Sequence, residues 1–346
     1  MKALFKKITD IINGLAIIGL LLAYLSSYVD PQDFWPFAFF GLTFKFWLVL
    51  NVFLALWWLL LKKKRWLYNT LVIAIGFQFI ARDIQFDKSK KSVADFKICS
   101  FNTKVQHVYA GGNTSSEINN YLVNNKYDVA VLIEWFNKKG KIDESAFPHQ
   151  QFVNLKAKRN KYDYGLKLVS KHKILNWERV KYNHFTNNMA AYFDIDINGE
   201  TIRFVAVHLA SNSLSARDYH KMIKVEADEK YKKYALDVVS RIKRGLLRRS
   251  KQASSILEAI ADSPHPVVIL GDFNDTPQSY AYQQLRNGRK DAFIEAGSGT
   301  GATFLKPFPL LRIDYILYDK QLECTNYASS QSIQSDHKLV EASFKF

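Results

Sequence analysis

The chain has 346 residues, of which 48% are hydrophobic and 23% charged, with 48 Lys and Arg against 32 Asp and Glu and only two cysteines. This balance excludes a disordered or low-complexity chain, and Cys99 and Cys324, in or beside strands, read as buried free thiols rather than as a metal site. The net charge of +16 directs attention to anionic partners.

The first third is apolar. Ile11 to Tyr28 carries no charge, Phe46 to Leu61 is rich in Trp, Leu and Val, and Trp66 to Ala81 is a third, shorter run. At about 1.5 Å per helical residue the first is long enough to cross most of a bilayer's apolar core. A signal peptide would explain one run and lacks a small-residue cleavage site here. The expectation is an anchor over residues 1–86 with two or three membrane helices near 8–28, 44–61 and 66–82. Lys2, Lys6 and Lys7 before the first run and Lys62 to Arg65 after the second place both in the cytoplasm. Three helices then put the remainder outside the cytoplasmic membrane, the preferred arrangement; with two, it stays cytoplasmic.

A polar linker over 87–94 leads to residues 95–346, long enough for one α/β core. Several apolar runs there end on polar residues. Phe96 to Lys104 delivers Asn102, Tyr127 to Trp135 delivers Glu134, and Ile202 to Ser211 delivers His208. Val267 to Leu270 reads as a buried strand that breaks into Gly271-Asp272-Phe273-Asn274, and Arg312 to Asp319 delivers Asp314. Ser335-Asp336-His337 precedes the closing strand. A carboxylate at the end of an apolar strand is costly unless paired, hydrated or metal-bound. Taken singly, Asn102 could cap a turn and His208 could be a satisfied sheet histidine; the set points to phosphoester hydrolysis.

In this order, Asn102, Glu134, His208, Gly271-Asp272-Phe273-Asn274, Ile313-Asp314-Tyr315 and Ser335-Asp336-His337 resemble the active-site series of the endonuclease/exonuclease/phosphatase superfamily. That group includes abasic-site endonucleases, DNase I, inositol polyphosphate phosphatases and neutral sphingomyelinases. The resemblance covers about residues 95 to 346 and implies a four-layer α/β sandwich, two mainly antiparallel sheets packed face to face with helices outside. It implies that Glu134, helped by Asn102 and Asp336, holds Mg²⁺ or Mn²⁺, ions suited to hard oxygen ligands. It further implies that Asp272 orients and deprotonates the attacking water and that Asn274 holds that water or a phosphate oxygen. His337 would face the phosphate with its other ring nitrogen on Asp314, and His208 would donate to the phosphoryl oxygen or leaving group. Tyr164 to Lys171 is similar to a further strand of the family.

Some branches fit poorly. Glu134 is followed by Trp135-Phe136, Asn102 by Thr103-Lys104, and His208 stands where abasic-site enzymes carry a tyrosine, so abasic-site repair is not expected. Between Ser211 and Lys251 lie twelve Lys or Arg against five Asp or Glu, without proline. Residues of about 212 to 245 read as a basic helical insertion beside the site, with Arg217, Lys221, Lys224, Arg248 and Arg249 as candidate substrate contacts. The expected function is a membrane-anchored, metal-dependent phosphodiesterase acting on nucleic acid, with DNA or RNA as substrate. The alternative is a phospholipid or sphingolipid phosphodiesterase drawn to anionic lipid, and a third reading is a binding domain that kept the fold. No obligate protein partner is expected.

Overall fold

The computed structural model describes residues 2–86, 88, 93–106, 112–155, 164–182, 186–215, 217, 218, 221, 229–305 and 311–346. They form two compact units. One comprises Met1–Asp83 together with Asp275–Gln284, and the other Ile84–Asn274 together with Leu285–Phe346.

The first unit is helical: α1 (Lys2–Leu25), α2 (Pro31–Phe34), α3 (Pro36–Leu42), α4 (Phe44–Leu60), α5 (Trp66–Ile75) and α6 (Phe77–Ile80). Its polarity runs from inside to outside. Asn51 and Asn69 are fully buried, and the Asn69 amide donates to Asn51 Oδ1 at 3.0 Å while Asn51 Nδ2 donates to the Ala16 carbonyl at 2.8 Å. Trp58 Nε1 donates to Asn13 Oδ1 across the same bundle. Outward, α1 exposes Ile8, Ile11, Ile12, Leu15 and Ile18, and α4 exposes Phe46, Val49, Val52, Phe53, Leu56 and Leu60. Helix α1 is long and apolar enough to cross a membrane; α3 and α4 pass the same test only as a pair bent by 65°. The third run differs from the single span expected over 66–82. It breaks at Gly76, where the Tyr24 ring leaves no room for a Cβ. The 10 residues of α5 extend about 15 Å, half of a hydrocarbon core.

Residues 275–284, expected to belong with the following sheets, are part of this helical unit. The reason is a set of buried hydrogen bonds. Ser26 Oγ and Ser27 Oγ both donate to the Gln278 carbonyl, and the Arg82 guanidinium donates to the Pro277 carbonyl at 2.9 Å and to Gln283 Oε1 at 3.0 Å. Gln278 Nε2 donates to Asp83, whose other oxygen meets Lys45 Nζ at 2.9 Å. The Arg82 guanidinium also lies 4.5 Å over the Phe79 ring.

Among the described residues the second unit holds twelve strands: β1 (Phe96–Asn102), β2 (Val129–Phe136), β3 (His149–Asn154), β4 (Tyr164–Ser170), β5 (Ile174–Arg179), β6 (Met189–Ile197), β7 (Glu200–His208), β8 (Val267–Asp272), β9 (Arg289–Asp291), β10 (Asp314–Asp319), β11 (Glu323–Ser330) and β12 (Leu339–Lys345). They build two six-stranded sheets in the orders β11-β12-β1-β2-β4-β3 and β5-β6-β7-β8-β10-β9. Each sheet has one parallel pair, β1 with β2 and β7 with β8, and is otherwise antiparallel. One core lies between them: Ile98, Val129, Val131 and Leu168 from the first sheet meet Phe193, Phe204, Leu270 and Ile316 from the second. The strands alternate because successive side chains point to opposite faces, so Cys99, Phe101, Ala130 and Leu132 form a second cluster with Ile118 and Leu122 of α7 (Ser115–Asn124).

From Glu229 onward the basic segment and the helix before Gly271 are one element, α8 (Glu229–Ile260), 32 residues long; residues 211–215 are not helical, and most of 216–228 lies outside the described residues. Its buried stripe of Ile242, Leu246, Ala253, Ile256 and Ile260 recurs at helical spacing. The short helix α9 (Tyr280–Arg286) follows β8, and α10 (Ala292–Ala296), capped by Asp291, joins the core through Phe293.

Replacing Arg82 with alanine leaves the Pro277 carbonyl and Gln283 without their buried donor, a loss of about 1.5–3 kcal/mol. The expected result is a lowered unfolding temperature of the full chain in detergent and preferential protease cleavage within 275–284. Unchanged protection there would contradict the assignment of this segment to the helical unit.

Candidate active site

Strand register brings the polar strand ends together. In the second sheet His208 pairs with Asp272, and Asp314 pairs with Asp272 from the other side, so three residues stand in one row across β7, β8 and β10. In the first sheet Asn102 pairs with Ile133, which puts it beside Glu134. At Glu134 the pairing of β2 with β4 slips between Leu132 and Trp135, and Glu134 takes φ +55°. A bulge of this kind re-aims a side chain, and left-handed backbone in a non-glycine residue is strain the surroundings must hold. Gly271, at φ +146°, could carry no Cβ without striking the Val207 carbonyl on the neighbouring strand.

Asp272 is the hub. Its Oδ1 accepts from the Asn274 backbone N–H at 2.8 Å, and its Oδ2 accepts from Asn102 Nδ2 at 3.0 Å and Asn274 Nδ2 at 3.1 Å. The Nε2 atoms of His208 and His337 each lie 3.9 Å from that same Oδ2. Burial is the main cause that pushes the Asp272 carboxyl up to about 6, with Asp314 adding to it and the histidines opposing it.

His337 Nδ1 is 2.9 Å from Asp314 Oδ2. Burial disfavours the charged ring, yet Asp314 and Asp272 outweigh it and push His337 up to about 10. His208 is buried without such a pairing, and burial lowers its pKa. One imidazole is therefore held as a cation and the other neutral. Asp314 is fixed from behind by Thr303, whose Oγ1 accepts the backbone N–H groups of Ile313 and Asp314 at 3.1 Å each.

Glu134 and Asp336 face the same cavity, of about 330 Å³, as Asn102, Asn274, His208, Asp272 and His337. Burial, with Asp336 beside it, raises the Glu134 carboxyl. The Lys104 ammonium reaches Asp336 at 2.7 Å. Lys104, Val105 and Gln106 all have positive φ, a left-handed turn costing about 1–2 kcal/mol per residue. Gln106 pins it, accepting from the Phe136 N–H at 2.8 Å and donating to the Phe136 carbonyl.

The donors fit a hard divalent ion: two carboxylates, Glu134 and Asp336, and the Asn102 amide oxygen, in a pocket that already draws in a lysine ammonium. The ligand atoms of Asp272, Asp314 and His337 also lie within 4.8 Å of one another.

The basic candidates divide. Arg248 lines the cavity. Arg249 is fully buried and donates to the Ala210 carbonyl at 2.7 Å and to Asn212 Oδ1 at 2.9 Å, so it holds the chain after His208 instead of meeting solvent. Arg217 and Lys221 are exposed and do not line the cavity, Lys221 standing 5.1 Å over the Tyr234 ring; Lys224 lies outside the described residues. Sequence reading missed Thr303, Gln252, whose Oε1 accepts the Ala210 N–H at 2.8 Å, and Asn188, which with Asn274 donates to the Leu209 carbonyl. None of these carries a local signal, since each works through a backbone group remote in sequence.

Residues 99–337 match the profile of the Endonuclease/Exonuclease/phosphatase family, well over half the chain. The chain belongs to that family. It is accordingly an enzyme of phosphoester hydrolysis, and the two mixed sheets flanked by helices are its fold. Residues 6–82 match a second profile, described as a domain of unknown function, DUF8431. No curated protein matches by sequence. Among solved structures, the endonuclease/exonuclease/phosphatase from Bacteroides vulgatus is 16% identical with a TM-score of 0.53, covering 72% of this chain and 98% of its own. The human Nocturnin catalytic domain, solved with bound sulfate, is 13% identical at 0.52, covering 76% and 96%. A humanized D. rerio TDP2 is 16% identical at 0.52, covering 72% and 99%. At these identities the likeness is one of fold.

Asp314→Asn removes the charge that keeps His337 protonated. The phosphoesterase rate should fall, and because the raised pKa drops, the protonated ring should be lost at lower pH than in the parent. The alkaline limb of the rate profile would then move to lower pH; a limb that stays in place would sever the link between Asp314 and His337.

Proposed function

We propose that this chain is a divalent-metal-dependent phosphodiesterase whose helical unit sits in the cytoplasmic membrane and whose substrate is a nucleic-acid strand. The observation that carries the hydrolytic reading is the convergence on one cavity of Asp272, His208, His337, Asn102, Asn274, Glu134 and Asp336. Each has a role that the geometry supports. Asp272, with two amide donors on its carboxylate and a pKa raised to about 6, orients the attacking water and takes its proton. His337, held as a cation by Asp314, presents Nε2 to a phosphoryl oxygen, and neutral His208 donates a hydrogen bond to the phosphoryl or leaving oxygen. Asn274 keeps its amide on Asp272 and the Leu209 carbonyl, which sets the loop on which the water is placed. Mg²⁺ or Mn²⁺ at Glu134, Asn102 and Asp336 would supply Lewis-acid stabilisation of charge on the phosphate.

Nucleic acid is favoured by the exposed cations of α8. Arg244, Arg248 and Lys251 recur at helical spacing on one face, and a row of cations tracks a phosphate backbone. Phospholipid is the second reading, supported by the apolar outward faces and buried asparagines of the helical unit, which is the polarity of a bundle in lipid.

The full chain in detergent is expected to cleave oligonucleotides with Mg²⁺ or Mn²⁺, to lose activity in chelator and regain it on adding the ion back. Asp272→Asn should lower kcat by at least about a hundredfold. Nucleic-acid cleavage should weaken steeply as salt rises. Hydrolysis of phospholipid vesicles with none of the oligonucleotide would replace the nuclease reading by the lipid one, and turnover in chelator would remove the metal.

A further inference from the structure

We infer that Arg248 is the contact for a second phosphate on the substrate, next to the one that is hydrolysed; this rests on the phosphodiesterase reading above and narrows its substrate class. Most of the basic groups around the cavity are already engaged. Lys104 is committed to Asp336, and the His337 ring to Asp314. On α8 the neighbouring arginines are engaged as well. Arg241 is bound by Asp218 and Asp237, Arg244 donates to Ser240 Oγ, and Arg249 is buried on Ala210 and Asn212. Arg248 alone among these arginines is exposed on the cavity wall, with no hydrogen-bond or ion-pair partner among the described residues.

Its position is nevertheless fixed. One residue on, Arg249 Nη1 donates to the Ala210 carbonyl, and one turn on, Gln252 Oε1 accepts the Ala210 N–H. Both hydrogen-bonding groups of Ala210, two residues past His208, are thus tied to α8. Gln252 Nε2 also donates to Thr186 Oγ1, which fixes the approach to Asn188. The Arg248 guanidinium therefore hangs from a backbone locked to the strand end that presents His208. It is a preorganised fork for a phosphate, the ligand whose geometry a guanidinium matches in two hydrogen bonds.

The scissile phosphate has its own partners: the His337 ring, seated on Asp314, and the Glu134, Asn102 and Asp336 oxygens that would hold the ion. An arginine beyond them is left over for a further anionic group. The rest of the lining agrees, since it includes Asn187, Asn188, Ser211 and Ser213, polar groups suited to sugar hydroxyls and oxygens, and the Tyr164 ring. A chain of sugar and phosphate, with one phosphate per residue, supplies this pattern.

The test uses the full chain in detergent with thymidine dinucleotides: TpT, the same with a 5′-phosphate, and the same with a 3′-phosphate. One of the two phosphorylated forms should be preferred over TpT through KM, by about tenfold. In Arg248→Gln that preference should collapse toward one, and in Arg248→Lys it should be partly kept. Equal loss on all three substrates would move Arg248 to the scissile phosphate, and a preference that survives Arg248→Gln would leave it without this role; either overturns the inference. Calorimetric binding of the same dinucleotides to Asp272→Asn, with and without Arg248→Gln, reads the contact independently of turnover. Should no dinucleotide be cleaved, the nuclease reading fails while the binding comparison still decides Arg248.

Discussion

The hydrogen-bonded register of β7, β8 and β10 places His208, Asp272 and Asp314 in adjacent positions of one sheet. Everything else at the site is arranged around the buried carboxylate in the middle of that row. Two carboxylates this close repel, and burial raises the Asp272 carboxyl. His337 stands between Asp314 and Asp272, and its charge opposes the rise of the Asp272 carboxyl. The parallel pairing of β7 with β8 is what permits this. It lets a histidine and an aspartate from distant parts of the chain end at the same level, and Gly271 removes the Cβ that would push the two strands apart.

A second constraint is the left-handed backbone around the cavity. Glu134, Asn274 and the turn over Lys104, Val105 and Gln106 all have positive φ. Such conformations persist where surrounding contacts over-determine them. Here the contacts are identifiable: Asn274 is caught by its side chain on Asp272 and Leu209, and the turn by Gln106 on both polar groups of Phe136. The strain places carboxylate and amide oxygens at the cavity wall, where a straight strand would have sent them into the core.

The helical unit poses a different physical problem, that of polar groups in an apolar bundle. Asn69 donates to Asn51, Asn51 donates to a backbone oxygen and Asn13 accepts from Trp58, all inside the bundle, while the outside is left to leucine, isoleucine, valine and phenylalanine. Arg82, buried against neutral oxygens and an aromatic face, needs the carbonyl of Pro277 and the amide of Gln283 to be tolerated there. Residues 275–284 are thus a structural requirement of the helices, although in sequence they follow directly on the Asp272-Phe273-Asn274 turn.

The sequence by itself determined the strand ends and the identity of the polar residues they carry, and the family that these resemble implied the two-sheet fold. An apolar run that stops on Asp, Glu, Asn or His is a local signal, and the order of six such stops is a pattern that chain order alone preserves. The runs of 11–28 and 46–61 were legible for the same reason, as uninterrupted apolarity needs no tertiary context. What only the tertiary structure decided depends on pairing between distant segments. That Thr303 backs Asp314, that Arg249 turns inward while Arg248 faces the cavity, and that 66–80 breaks at Gly76 are all set by neighbours remote in sequence. A one-residue step along a helix separates Arg248 from Arg249 by about 100° of rotation. Which of the two is buried is settled by where Ala210 lies, a fact of packing that adjacent residues in a sequence cannot encode.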